Sequence, residues 1–243
     1  MKILIVGASG ATGRLLVEQL LNRDQKVRVI VRSDESLPES VKNNKNLEIV
    51  KASLLDLGNA KMQKYVKDVD AIVSCLGHNI TFKGMFGQPR KLVTDAAKRL
   101  CEAVKANNPT HKVKYVLMNT TANRNRDLNE KVSFGHKVVM GILRTLLPPQ
   151  SDNEQAADYL RVEIGQNDDK IEWVAVRPDG LTNEDKVTEY EVYPSPIRSA
   201  IFNAGKTSRI NVGHFMADLI TESDIWKKWK GQMPVIYNKE TSE

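Results

Sequence analysis

The sequence predicts an α/β protein built on a doubly wound parallel sheet. Three observations carry that expectation. Apolar runs of strand length alternate with amphipathic helical stretches along most of the chain. Several runs are almost continuously apolar, as in Ala71-Ile72-Val73 and Val174-Ala175-Val176, which fits strands covered on both faces. The first run leads directly into a glycine turn, Gly7-Ala8-Ser9-Gly10-Ala11-Thr12-Gly13, and then into a helical stripe.

The expected strands are Lys2–Val6, Lys26–Arg32, Leu47–Lys51, Ala71–Cys75, Lys114–Asn119 and Glu172–Arg177. Between them, Leu16, Leu20 and Leu21 form one helical stripe, starting near Thr12. Leu92, Ala96, Leu100 and Val104 form a second, opened by Pro89. Val138, Val139, Ile142, Leu143 and Leu146 form a third, stopped by Pro148-Pro149. A fourth helix, over Gln155–Ile164, precedes the sixth strand. After Pro178 the pattern weakens, and residues 179–210, with Pro194 and Pro196, read as a small substrate-side cap at the carboxyl edge of the sheet. A last helix (Val212, Phe215, Met216, Leu219, Ile220) and a short strand at Pro234–Asn238 close the chain. Residues 1–243 are read as a single domain, of a length that suits one sizeable core.

Composition narrows the function classes. Hydrophobic residues make up 41% of the chain and charged residues 27%, as in a globular protein. The net charge of +6 comes from scattered lysines and arginines. The densest group, Lys227, Lys228 and Lys230 around Trp226 and Trp229, reads as a solvated helix with aromatics packed inward, so neither nucleic acid nor membrane is expected as a partner. Cys75 and Cys101 are far apart and outside any CxxC pair, which implies neither a disulfide framework nor a metal site. No leader or spanning segment is read, and a cytoplasmic, reducing compartment is expected for a monomer or homodimer acting on a small molecule.

The glycine turn is the chemical core of the sequence. A strand, a tight turn and a helix N-terminus together let backbone approach a pyrophosphate where the helix end carries positive potential. That makes the fold Rossmann-type. A mononucleotide loop of the Gly-x-x-x-x-Gly-Lys type is disfavoured, because Arg14 and Leu15 follow Gly13. The second strand ends Val31-Arg32-Ser33, with no carboxylate at its tip. An NAD site normally places Asp or Glu there, on the ribose hydroxyls, whereas a guanidinium followed by a hydroxyl suits a 2′-phosphate. NADP(H) is therefore favoured over NAD(H), with Arg14 as a further candidate contact.

The spacing Gly-x-x-Gly-x-x-Gly, the order of strands and Arg177-Pro178-Asp179-Gly180-Leu181 resemble the atypical short-chain dehydrogenase/reductase superfamily. Within it the chain is most similar to the NAD(P)-binding, NmrA-like group that includes biliverdin/flavin reductases. Ser208-Arg209-Ile210-Asn211-Val212 resembles that group's Ser-Arg-x-Asp-Val segment, with Asn211 in place of Asp. The resemblance implies cofactor contacts from Gly7, Ser9, Gly10, Ala11, Thr12 and Gly13 at the pyrophosphate. It implies Arg32 and Ser33 at the 2′-phosphate, and Ser53 and Leu54 beside adenine. Ser53 replaces the family's Asp, and Asp56 is a substitute candidate. Cys75, Leu76 and Gly77 match the turn after the fourth strand, and Asn119, Thr120 and Pro178 fall near the nicotinamide.

The family's usual Tyr-x-x-x-Lys proton-transfer pair is missing. Four positions after the six tyrosines stand Val69, Asn119, Glu163, Pro194, Ile197 and Thr241. The nearest frame, Ser133-Phe134-Gly135-His136-Lys137, has serine in the tyrosine slot, and serine is a poor proton donor at neutral pH. Direct hydride transfer remains, with Thr120, Lys137 and His136 as catalytic candidates: Thr120 to hold the acceptor, Lys137 to bind nicotinamide ribose, His136 or His78 to supply a proton. For each histidine the plainer reading is the stronger one, His78 as an ordinary loop residue and His136 as a helix-surface residue. Phe82 and Phe86, in the loop between Gly77 and Pro89, are candidates to stack on a flat acceptor or to seal the core. The expected function is an NADP(H)-dependent oxidoreductase that passes hydride to a conjugated, flavin- or quinone-like acceptor. The alternatives are a non-catalytic NADP(H)-binding sensor and a sugar-nucleotide epimerase-like isomerase.

Overall fold

A computed structural model of the chain describes residues 1–78, 87–128, 130, 139, 141, 148–200 and 202–239. In chain order the elements are β1 (Lys2–Val6), α1 (Ala11–Asn22), β2 (Lys26–Val31), α2 (Glu39–Lys42) and β3 (Leu47–Lys51). A 3-10 turn (Leu54–Asp56), α3 (Asn59–Val66), β4 (Ala71–Ser74), α4 (Leu92–Asn107) and β5 (Val113–Met118) follow. Then come α5 (Pro148–Asp158), running into a π-helical stretch (Tyr159–Ile164), β6 (Ile171–Pro178), β7 (Gly180–Thr182), β8 (Tyr190–Tyr193) and β9 (Lys206–Ser208). The last elements are α6 (Arg209–Thr221), α7 (Ser223–Trp229) and β10 (Val235–Asn238).

The main sheet has the order β3-β2-β1-β4-β5-β6-β10-β8. Every adjacent pair is parallel except β10 with β8. β4 and β5 lie at its centre, and all four residues of β4 are buried, which accounts for its continuous apolar run. On one face Leu16, Val17 and Leu20 of α1 pack with Val212, Phe215 and Met216 of α6, and with Trp226 and Trp229. On the other, Met62 of α3, Val93, Ala96 and Leu100 of α4, and Ala156 and Leu160 cover the sheet. The connection reverses between β1 and β4, which opens a crevice at the carboxyl ends of these strands.

Two elements differ from the sequence reading. The helix expected over Gln155–Ile164 begins earlier, at Pro148, and loosens into π geometry from Tyr159. The segment 179–210 also contributes β8 to the main sheet: Tyr190–Tyr193 pairs antiparallel with β10 at the edge, while β7 and β9 form a separate parallel pair. The third expected stripe, Val138–Leu146, falls largely outside the described residues.

Candidate functional site

The site grows from the turn after β1. Gly7 has φ +75°, and a Cβ there would lie 2.5 Å from the Cys75 carbonyl, so this position requires glycine. The Gly10 N–H donates to the Gly7 carbonyl at 3.1 Å and closes the turn. A Cβ on Gly13 would lie 2.2 Å from that same carbonyl oxygen. Glycine there lets α1 begin directly against β1. α1 has Gly10 as its N-cap and no side-chain cap, so its first N–H groups are left for a ligand.

A cavity of about 460 Å³ opens over this turn. Val6, Gly7, Ser9 and Gly10 form its floor, and Ile30, Val31 and Arg32 from the end of β2 form one side. Ala52 to Asp56 after β3 form a second wall, Cys75 to Gly77 after β4 a third, and Gln88, Pro89 and Leu92 close the far end. Arg99 of α4 donates to the Leu54, Leu55 and Leu57 carbonyls and fixes the second wall in place. The exposed Arg32 guanidinium makes no ion pair with the described residues. The Ser33 hydroxyl accepts from the Glu35 N–H at 3.2 Å, and Ser36 Oγ donates to the Ser9 carbonyl at 3.0 Å. Burial pushes the Cys75 thiol up to about 12, so this sulfur is a wall and not a nucleophile.

The structure brings Gly7, Ser9, Gly10, Arg32, Ser53, Leu54, Cys75, Leu76 and Gly77 into one cavity, with Ala11, Thr12 and Gly13 as the first turn of α1 beneath it. Asn119 and Pro178 lie at the carboxyl ends of β5 and β6, outside the cavity lining. Asn119 Nδ2 donates to the Asn153 carbonyl (2.9 Å), its Oδ1 accepts from the Thr120 N–H (2.9 Å), and the Pro178 carbonyl accepts from the Thr121 N–H (3.1 Å). The half-buried Thr120 Oγ accepts from the Ala122 N–H at 3.3 Å. His136, Lys137, Phe82 and Phe86 lie outside the described residues.

Two buried ionic groups escaped the sequence reading. Asp152, 1% exposed, accepts from the Val93 and Thr94 N–H groups at 2.8 and 2.9 Å and lies 2.8 Å from His78 Nε2. It caps α4 and ties down the chain directly after Gly77. Arg177 is fully buried. It pairs with Glu130 at 2.7 Å and donates to the Met233, Asn123 and Pro194 carbonyls. It therefore locks the loop after β5, the chain at Pro194 and the approach to β10 together. The Asn211 side chain likewise joins Thr188 to Asn238 beneath the Ser208 cap of α6.

Five phenols are shifted away from proton transfer. Burial pushes Tyr115, Tyr159 and Tyr190 up and takes Tyr237 to about 12, and a hydrogen bond to Glu191 raises Tyr193. Among the described residues, no group of His, Cys, Asp and Glu is placed to hold a metal ion, and no helix is long and apolar enough to cross a membrane.

A glycine cradle at the crevice of a parallel sheet, with an uncapped helix start, defines a dinucleotide-binding Rossmann protein. Residues 7–223 match the family model described as NAD(P)H-binding, and the chain belongs to that family. It is similar to an uncharacterized chloroplastic protein of Arabidopsis thaliana, 36% identical over 74 residues. That match spans 30% of this chain and 26% of the relative. The fold resembles the oxidoreductase ylbE from Lactococcus lactis (TM-score 0.69, 19% identity, 100% of this chain and 93% of that one). It resembles a short-chain dehydrogenase/reductase from Veillonella parvula in complex with NADP (TM-score 0.69, 14% identity, 100% and 96%). It also resembles a Streptococcus pneumoniae protein proposed to be an NADH-flavin reductase (TM-score 0.65, 16% identity, 98% and 100%). At these identities the likeness is one of fold.

Proposed function

We propose that the chain is an NADP(H)-dependent oxidoreductase that reduces a flat, conjugated acceptor of flavin or quinone type. The observation that carries this reading is Arg32, exposed and without an ionic partner among the described residues, on the wall of a cavity whose floor is the glycine turn. The NADP bound to the Veillonella parvula relative is consistent with it.

When bound, the cofactor supplies the hydride. The chain's own residues hold and orient the reactants. The glycine turn and the α1 N-terminus take the pyrophosphate, Arg32 and Ser33 take the 2′-phosphate, and Ser53, Leu54 and Asp56 border the adenine. Leu76, Gly77, Asn119 and Pro178 border the nicotinamide end, and the Thr120 hydroxyl orients the acceptor. Lys137 is assigned to the nicotinamide ribose and His136 to proton delivery. Residues 179–210 serve as the substrate-side cap of a single domain, and a reducing compartment such as the cytoplasm suits the two free cysteines.

The raised phenols and the missing Tyr-x-x-x-Lys favour one second reading, a non-catalytic NADP(H) sensor. One experiment separates the two. The protein is mixed with NADPH and a panel of flavins, quinones and aldehydes, and nicotinamide absorbance is followed. Turnover with a flat acceptor that falls at least about 10-fold in Thr120→Val supports the enzyme. Tight NADPH binding without turnover refutes it in favour of the sensor.

A further inference from the structure

A second charged feature lies in the chain just past Arg32, outside the cavity lining itself. Asp34, two residues past Arg32, is ion-paired to Lys51 at 2.9 Å, between Asp34 Oδ1 and Lys51 Nζ. The register of β2 and β3 sets Val31 opposite Lys51, so the lysine stands at the strand tip from which Arg32 emerges. The turn containing Asp34 is folded onto the glycine turn by the hydrogen bond from Ser36 to the Ser9 carbonyl. Asp34 therefore lies in sequence between a cavity-lining residue and one anchored to the cavity floor. Its side chain is only 22% exposed, whereas Glu35, the next residue, projects into water.

The chemistry of this position is specific. A carboxylate just past the second strand is the usual ligand of an unmodified ribose, and it repels a 2′-phosphate. Here that carboxylate is spent on a lysine. We propose that Lys51 is a specificity-determining residue of the cofactor site: by engaging Asp34 it silences the carboxylate that would otherwise reject a 2′-phosphate and favour NADH. With Lys51 present, the Asp34 carboxylate, three residues past the end of β2, has a paired cation; without it, Arg32 is the only cation left within two residues of Asp34 in the chain. In agreement, the hydrogen bond from Lys51 holds the Asp34 carboxyl below the ordinary aspartate value, with a smaller contribution from the charge of Lys42. Lys42 itself is engaged by Glu39 at 2.7 Å and is a poor substitute. The inference deepens the reading of Arg32 as the 2′-phosphate ligand and rests on it.

Affinity, not activity, tests it. Dissociation constants for NADPH and NADH are measured at low salt for the parent protein, Lys51→Gln, Lys51→Gln/Asp34→Asn and Arg32→Ala. In Lys51→Gln, NADPH binding weakens about fivefold to tenfold, the scale of one uncompensated, partly screened charge beside a phosphate. NADH binding stays within about twofold of the parent or tightens. Removing Asp34 as well returns NADPH affinity to within about twofold of the parent, because the repelling group is gone. Equal weakening of both cofactors in Lys51→Gln overturns the inference. So does a double variant that stays as weak as Lys51→Gln, since Lys51 would then act on the phosphate itself. Arg32→Ala distinguishes the two levels: if it is selective against NADPH while Lys51→Gln is not, only the role of Lys51 falls. If Arg32→Ala leaves the ratio of the two affinities unchanged, both fall.

Discussion

Replacing Glu130 by glutamine tests how the carboxyl edge of the sheet is held. Arg177 is fully buried, and its NH2 and NH1 groups reach the Glu130 carboxylate at 2.7 and 3.2 Å. Its other N–H groups are bound to the Met233, Asn123 and Pro194 carbonyls, none of which carries charge. Glu130→Gln keeps the shape but removes the only anion facing the guanidinium among the described residues, and it turns an amide N–H toward a donor. Leaving a buried charge without its counter-ion costs about 3–5 kcal/mol. For a chain of this length each kcal/mol shifts the melting temperature by about 2–4 °C, so a fall on the order of 10 °C is expected. Urea denaturation and thermal melting read the change, with the exposed Glu18→Gln as a control that moves stability by less than about 0.5 kcal/mol. A Glu130→Gln protein within about 1 kcal/mol of the parent would refute the view that this ion pair locks the loop after β5 to the chain at Pro194 and to β10.

Two further outcomes follow from the geometry. Gly13→Ala places a methyl 2.2 Å from the Gly7 carbonyl oxygen. The resulting backbone shift costs about 1–3 kcal/mol, more than the roughly 1 kcal/mol gained in helix propensity, and calorimetry should find NADPH affinity reduced at least about 10-fold. Asp168 should make the fold acid-sensitive: burial raises its carboxyl, but hydrogen bonds from Lys105 and from the Lys170 and Ile171 N–H groups outweigh that and hold it below the ordinary value. A depressed folded value gives stability that is present above the unfolded value and lost as pH falls through the folded one. Asp168→Asn should therefore be less stable at neutral pH and show a flatter loss of stability below about pH 4, read by denaturant titration at several pH values.

The elements that position the site were largely readable because their signals are local. The strand at Lys2–Val6 and the glycines after it declare themselves within one short segment. The same holds for the strand at Leu47–Lys51, whose observed bounds match those expected. What escaped the sequence depends on distant partners. β8 was read as cap because Tyr190-Glu191-Val192-Tyr193 lies among prolines and polar residues, and its pairing strand comes more than 40 residues later. His78 was a candidate proton source or a loop residue. Its actual neighbour, Asp152, sits 74 positions away in a polar stretch with no periodic signature. Arg99, which sets the wall at Leu54 to Leu57, looks in sequence like any charged residue on a helix. Burial of a charge is a property of the packed structure, and a single sequence carries no local mark of it.

The cavity over the glycine turn is proposed to read a 2′-phosphate through Arg32. The most direct measurement is a pair of binding titrations, NADPH and NADH, on the parent protein and on Arg32→Ala. The expected result is tighter binding of NADPH than of NADH by the parent, and a loss of NADPH affinity on the order of 10-fold or more in Arg32→Ala with NADH nearly unchanged, as for removal of a charge-assisted phosphate contact. Equal affinity for both cofactors in the parent, or equal weakening of both in Arg32→Ala, would contradict it.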